Sequence, residues 1–215
     1  MAAMCDTVTP REAPPPCDPQ TDPTGVPPAS FREPLTPETV RDNIRDAITT
    51  PTLEPNYRVS LTDEDPGAGI AGFAYLPDES ARSAATQGFF DGWNKEREVQ
   101  FMLAFREETV TPLDSFETVE MNFPVFQDTG ELQGTDQARY EVQYELIREF
   151  SDRTVEPPVV INRERYTGRA FWDLIGGDSN FWTLQKWEDL EPLTDDEDPA
   201  VGTLGILRAV LGAQG

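Results

Sequence analysis

The chain has no histidine. The side chain most used for general acid–base work near neutral pH is therefore missing, and His-based dyads are excluded. Thiols are nearly as scarce. Both cysteines, Cys5 and Cys17, lie within the first 17 residues, so the folded part has no thiol nucleophile and no internal disulfide. Lysine occurs twice, at Lys95 and Lys186, and arginine supplies the remaining positive charge. No apolar run approaches the roughly 20 residues of a membrane-spanning helix. The opening Met1-Ala2-Ala3-Met4 is too short to be a signal peptide as it stands. Basic residues are outnumbered 17 to 40, and the net charge of −23 repels phosphate. Nucleic acid and anionic membrane surfaces are poor partners for such a chain; basic proteins or cations are better ones. The same charge also serves solubility.

What is present divides in two. Residues 1–34 hold nine of the 20 prolines and one aromatic, Phe31. Proline removes backbone donors and favours extended polyproline II, so this segment reads as a tether. Residues 35–215 read as one domain of about 180 residues, enough to bury a core.

The domain opens on Leu35-Thr36-Pro37. Thr36 suits an N-cap, Pro37 suits the first helical position, and Leu35 with Val40 has the spacing of a hydrophobic staple. Val40, Ile44, Ala47 and Ile48 follow at helical spacing. The stretch 53–61 reads as a short helix or an irregular bridge, and GFAYLPDE as a short extended piece. Between Ser80 and Glu107 the helical spacing is weakened by Gly88 and Gly92, which points to two helices meeting near Trp93. After Pro112 the period falls to two. Four strands are predicted, around Val119–Val125, Tyr140–Leu146, Tyr166–Leu174 and Phe181–Asp189. In the last, Trp182 and Leu184 share a parity that Trp187 breaks, so either a bulge intervenes or Trp187 serves the other face. Helices first and strands after is the α+β order, with the helices covering one face of a curved meander. Thr203–Leu211 reads as a short apolar helix closing an open end.

The final strand Trp182-x-Leu184-x-x-Trp187-x-Asp189 and the following Gly202-Thr203-Leu204-Gly205-x-Leu207-Arg208 resemble bacterial lipoproteins of the NTF2-like (SnoaL-like) superfamily. The opening helix Leu35–Ile44 and the acidic stretch after Cys5 resemble the same group. The resemblance implies an NTF2-like cone, with N-terminal helices packed in the concave face of a curved antiparallel sheet of about four long strands. It also implies export and a lipid on Cys5 at the mature N-terminus. A Cys5–Cys17 disulfide is the competing reading of the tail. Met4 departs from the small residue that such processing sites prefer.

Enzymes with this fold place Asp, His or Tyr deep in the cone. Here that leaves Asp173 and Asp189 on adjacent strands, with Tyr140, Tyr144 and Tyr166 near them. The competing reading has Asp189 ending its strand and Asp173 facing solvent. Trp93, Trp172, Trp182 and Trp187 read first as core. Gly67–Gly72 matches G-x-G-x-x-G by letter, without the strand–turn–helix context of a nucleotide site. Glu188, Asp189, Glu191, Asp195, Asp196, Glu197 and Asp198 form an acidic run without the pattern of a calcium loop, and read as a partner-facing loop.

The reading that follows is a non-catalytic, exported interaction module tethered at the envelope, with no cofactor and a basic protein or membrane complex as partner. Its membrane contact would come through a lipid anchor or the partner alone. A second reading is a binder of small apolar ligands, its pocket lined by Trp93, Met102, Tyr144, Trp172 and Trp182. A third is a cone enzyme of isomerase, dehydratase or hydrolase type, which requires an inward carboxylate with a strongly raised pKa.

Overall fold

The first turn of the domain is set by its cap. In the computed structural model the Thr36 hydroxyl accepts from the Thr39 amide at 3.2 Å, and Pro37 opens helix α1, Pro37–Thr49. The model describes residues 36–50, 54–107, 115–132, 136–152, 154–176, 181–193 and 200–212, all within the unit Phe31–Gly215. Leu35, Cys5, Cys17 and the proline-rich tail lie outside the described residues, as do Asp195–Asp198. α1 buries Val40, Asn43, Ile44, Ala47 and Ile48 along one stripe. The short helix expected near Tyr57 is α2, Glu54–Ser60.

Strand β1, Ala74–Leu76, comes next, and Asp78 then caps α3, Glu79–Ala84, accepting from the Ser80 and Ala81 amides. Gly88 and Gly92 adopt φ of +78° and +65°, a region that side chains disfavour. The helical pattern is therefore split into α3 and α4, Lys95–Glu107, but the two do not meet at Trp93: residues 85–94, Trp93 among them, form a non-helical link.

β2 (Ser115–Asp128), β3 (Gln137–Asp152), β4 (Val159–Gly176) and β5 (Trp182–Glu191) form an antiparallel meander. The expected sheet of four strands gains a fifth: β1 pairs parallel with β5, giving the order β1-β5-β4-β3-β2. The short extended piece expected in GFAYLPDE is this strand, but three residues are too few for alternation to announce its pairing. The sheet is curved and unclosed, with the helices on one side.

The parity break in β5 is a bulge. Trp172 faces Trp187 and Leu174 faces Leu184, so Gln185 is the extra residue. Leu184, Trp187 and Asp189 consequently all turn inward and are buried. α5, Leu204–Gly212, closes the concave side and buries Leu204, Leu207, Arg208 and Leu211. Two glycines permit this closure. A Cβ at Gly168 would overlap the Tyr144 hydroxyl, and one at Gly205 would meet Tyr75, Ala81 and Asp78.

On the convex face the same strands carry charge. Arg139 holds Asp173 through two contacts, at 2.6 and 3.0 Å, Arg165 holds Glu145 at 2.7 Å, and Arg169 joins Glu141 to Glu191. Each residue on this face is one step out of phase with the apolar set, which is why one strand carries both patterns.

Candidate functional site: a charged, filled interior

At the centre of the helical side lies a buried ion pair. Arg208 of α5 and Glu98 of α4 are 1% and 0% exposed. Arg208 Nη2 donates to Glu98 Oε1 at 2.6 Å and Nε donates to Oε2 at 3.0 Å. The Tyr57 hydroxyl and the Trp93 indole also donate to Glu98, at 2.6 and 2.7 Å. The guanidinium lies over the rings of Tyr75, Trp187 and Phe101, at 4.1, 4.7 and 4.9 Å. Three aromatic faces and a carboxylate thus replace the water that the cation leaves. Proximity to Glu98 raises the Arg208 pKa despite burial.

A second buried carboxylate sits beside the pair. Asp189 accepts from the Tyr75 hydroxyl and the Trp187 indole, both at 2.7 Å. Burial pushes its pKa up to about 6, against the opposing pull of Arg208 and these hydrogen bonds; Asp78 adds to the rise. Tyr57, Tyr75 and Tyr144 are raised well above the usual phenol range, burial being the largest cause, so all three are neutral at ordinary pH. Tyr144 accepts from the Leu204 amide at 3.2 Å, and Thr203 donates to Asp78 at 2.6 Å. These bonds pin the start of α5 to the sheet and to α3.

The structure separates several residues that the sequence grouped. Asp173 is on the convex face, bound to Arg139, and does not meet Asp189. Tyr140 stacks on Phe126 at 4.3 Å, and Tyr166 donates to Glu164. Asp189 neither ends its strand nor faces a partner: the bulge at Gln185 turns it into the core, 4% exposed. Of the remaining acidic run, Glu188 pairs with Lys186, Glu191 pairs with Arg169, and Asp195–Asp198 lie outside the described residues. Trp93, Met102, Tyr144 and Trp172 are buried in one continuous core with Trp187, while Trp182 is half-buried against Gly176.

Sequence reasoning missed Glu98, Arg208, Tyr75 and Tyr57. One signal was available: Arg208 is the single charge inside the apolar TLGILRAVL, a place where a cation needs a buried partner.

A cavity bounded by Ile48, Tyr57, Phe101, Met102, Leu207, Arg208 and their neighbours holds about 10 Å³, the room of roughly one water. Two larger clefts, of about 400 and 320 Å³, open at the surface. One lies by Arg82, Phe89 and Phe90, the other by Arg58, Lys95 and Phe181. Asp189 lines none of the three. Among the described residues no helix is long and apolar enough to cross a membrane.

No family model matches this chain, and no curated protein matches it. Several solved structures are similar. One is a candidate dehydratase of the NTF2-like family from Streptomyces avermitilis, 11% identical over 73% of this chain and 93% of that one, with a TM-score of 0.46. Another is a variant of Rv3472, a protein of unknown function from Mycobacterium tuberculosis, 13% identical over 82% of both chains, with a TM-score of 0.41. A third is a candidate aromatic ring hydroxylase from Novosphingobium aromaticivorans, 12% identical over 72% and 85%, with a TM-score of 0.41. None of the three similarities reaches a TM-score of 0.5.

Proposed function

We propose that this protein is an interaction module whose working surface is its exterior, docking a basic protein partner. One observation carries the reading: among the described residues, the concave side, where a ligand or substrate would lie, is occupied by the Arg208–Glu98 pair and its aromatic surround, and the cavity beside them holds about 10 Å³. A buried ion pair is weak evidence of stability gain, but a guest entering here would have to separate two desolvated charges. The exterior supports the partner's sign. The described basic side chains are engaged with carboxylates or backbone carbonyls, so the surplus of acids behind the charge of −23 stays uncompensated. Localisation outside the cytoplasm, at a membrane through a lipid on Cys5, belongs to the same proposal. Purification of the full chain from its own organism at low and high salt tests it. A stoichiometric basic partner retained at about 50 mM salt and released above about 500 mM is the supporting outcome. Isolation of the chain alone at both would refute it.

Asp189 favours a second reading, a cone enzyme with a carboxyl poised between Tyr75 and Trp187. Its raised pKa is the feature such an enzyme needs. Both carboxyl oxygens are already engaged, which leaves neither free to take a substrate proton without displacing a partner. Soaking crystals with small ketones separates the readings: density within 3.5 Å of Asp189 supports the enzyme, and an unchanged interior removes it.

A further inference from the structure

Acidic residues outnumber basic ones 40 to 17, so a basic side chain finds a carboxylate readily. Arg82 does not. Its Nε donates to the Pro77 carbonyl at 3.0 Å, and among the described residues no carboxylate reaches its guanidinium. Arg97 also lacks a carboxylate, but it is engaged with two backbone carbonyls and two rings. Asp91 is the converse case. Its backbone carbonyl accepts from Arg97, while its exposed carboxylate meets no cation among the described residues. Arg82 and Asp91 line one surface cleft of about 400 Å³ and do not pair with each other. Leu76, Phe89 and Phe90 give the same cleft an apolar wall, and Leu76 is 37% exposed there. The wall is held from behind. Phe89 and Phe90 meet edge to face at 4.8 Å, and Phe90 lies 5.4 Å from buried Trp93 and 5.7 Å from buried Tyr75. Arg97 lies over Phe89 and Trp93 at 5.4 and 4.6 Å, and donates to the Phe89 and Asp91 carbonyls at 2.7 and 3.3 Å. The loop is thereby fixed before any occupant arrives, and so is Arg82, by α3 and by Pro77.

We propose that this cleft captures the C-terminus of a partner protein, one whose last residue is apolar and whose preceding residue is lysine or arginine. The proposal rests on the interaction-module reading and gives it a location. Charge complementarity selects the occupant, and each part of it answers a part of the cleft. The terminal carboxylate meets the Arg82 fork, whose two Nη groups match its two oxygens. The last side chain lies on Phe89, Phe90 and Leu76. The cation one residue earlier meets Asp91. A simple anion is a poorer occupant, since it leaves Asp91 unanswered and is repelled by it. A cationic segment without a terminal carboxylate sets like charge against Arg82.

The test uses the full chain and a defined probe, a fluorescent glycine–serine hexapeptide ending in lysine–leucine with a free carboxylate. Its controls are the same peptide amidated at the C-terminus, a peptide ending in glutamate–leucine, and free leucine as competitor. Binding is read by anisotropy. The expected result is saturable binding that amidation weakens about tenfold and that glutamate in place of lysine weakens about threefold. Arg82→Gln should erase the difference between free and amidated peptides, and Asp91→Asn the difference between lysine and glutamate. Both side chains are exposed, and an unchanged denaturation midpoint checks that each variant folds. Absence of saturable binding, or equal binding of the amidated peptide, overturns the proposal. So does a preference for the free carboxylate that survives Arg82→Gln, or indifference between lysine and glutamate. Displacement by free leucine at the affinity of the peptide makes the cleft a small-molecule site and overturns it too. The two proposals fail separately. A salt-sensitive partner retained by Arg82→Gln keeps the module and rejects the cleft. Peptide capture with no partner at any salt does the reverse.

Discussion

Two sets of arginine–carboxylate pairs occupy the two faces of one sheet, and they differ in what surrounds them. On the concave side Arg208 and Glu98 are enclosed by Tyr57, Tyr75, Trp93, Phe101 and Trp187. On the convex side Arg163–Glu149, Arg165–Glu145 and Arg169–Glu141 run along β3 and β4 with water on one flank. The donors and acceptors are the same in kind. Solvent screens the outer pairs, while removing one partner of the inner pair strands a desolvated charge. The comparison teaches that the interior charges hold α4 and α5 in place, whereas the exterior ones set the sign and texture of a surface.

The comparison breaks most visibly at Arg208. Arg208→Ala should cost about 3–5 kcal/mol, read as a fall in denaturation midpoint with an unchanged slope. Glu98→Leu combined with Arg208→Met removes both charges together. That double variant should recover most of the loss, because buried pairs are often matched by apolar residues of similar volume. Gly168→Ala forces the new methyl into Tyr144, whose hydroxyl receives the Leu204 amide, and should cost about 1–3 kcal/mol by the same measurement.

Asp189 adds a pH dependence to the interior. Its folded pKa of about 6 lies above the ordinary value near 3.8. The folded state therefore binds the proton more tightly. The resulting stabilisation is full below the ordinary value and is lost as pH rises through about 6. It amounts to about 3 kcal/mol at most, at ~1.4 kcal/mol per pK unit. Urea titrations between pH 4 and pH 7.5 should show this decline in the native chain and a flatter profile in Asp189→Asn. The smallest effect belongs to the outer ladder. Arg169→Gln removes contacts to both Glu141 and Glu191 and should barely move the denaturation midpoint, with any difference vanishing in 0.5 M salt.

Much of the scaffold was legible before the structure. The Thr36–Pro37 start, the split at Gly88 and Gly92, the four long strands and the closing helix all follow from local chemistry that acts within a few residues. The extended piece at Ala74–Leu76 was legible, but its place as a fifth strand was not, because it pairs with a partner 112 positions away, Ala74 opposite Lys186. The interior site was less legible. Glu98 lies in the charged run Lys95-Glu96-Arg97-Glu98, where only the tertiary fold tells the buried carboxylate from the exposed one two residues earlier. Asp189 was seen but assigned to the surface, since a bulge at Gln185 reverses the parity of everything after it. One inserted residue decides whether a carboxylate meets water or a tyrosine.

Native mass spectrometry of the full chain purified from its own organism tests most directly whether the exterior, and not the interior, does the work. Spectra would be taken in mild detergent and after denaturation. The expected result is a stoichiometric protein partner with no small noncovalent mass retained by the chain. A chain without a partner, carrying one tightly held small molecule whose loss accompanies Asp189→Asn, would contradict it and place the function inside the cone.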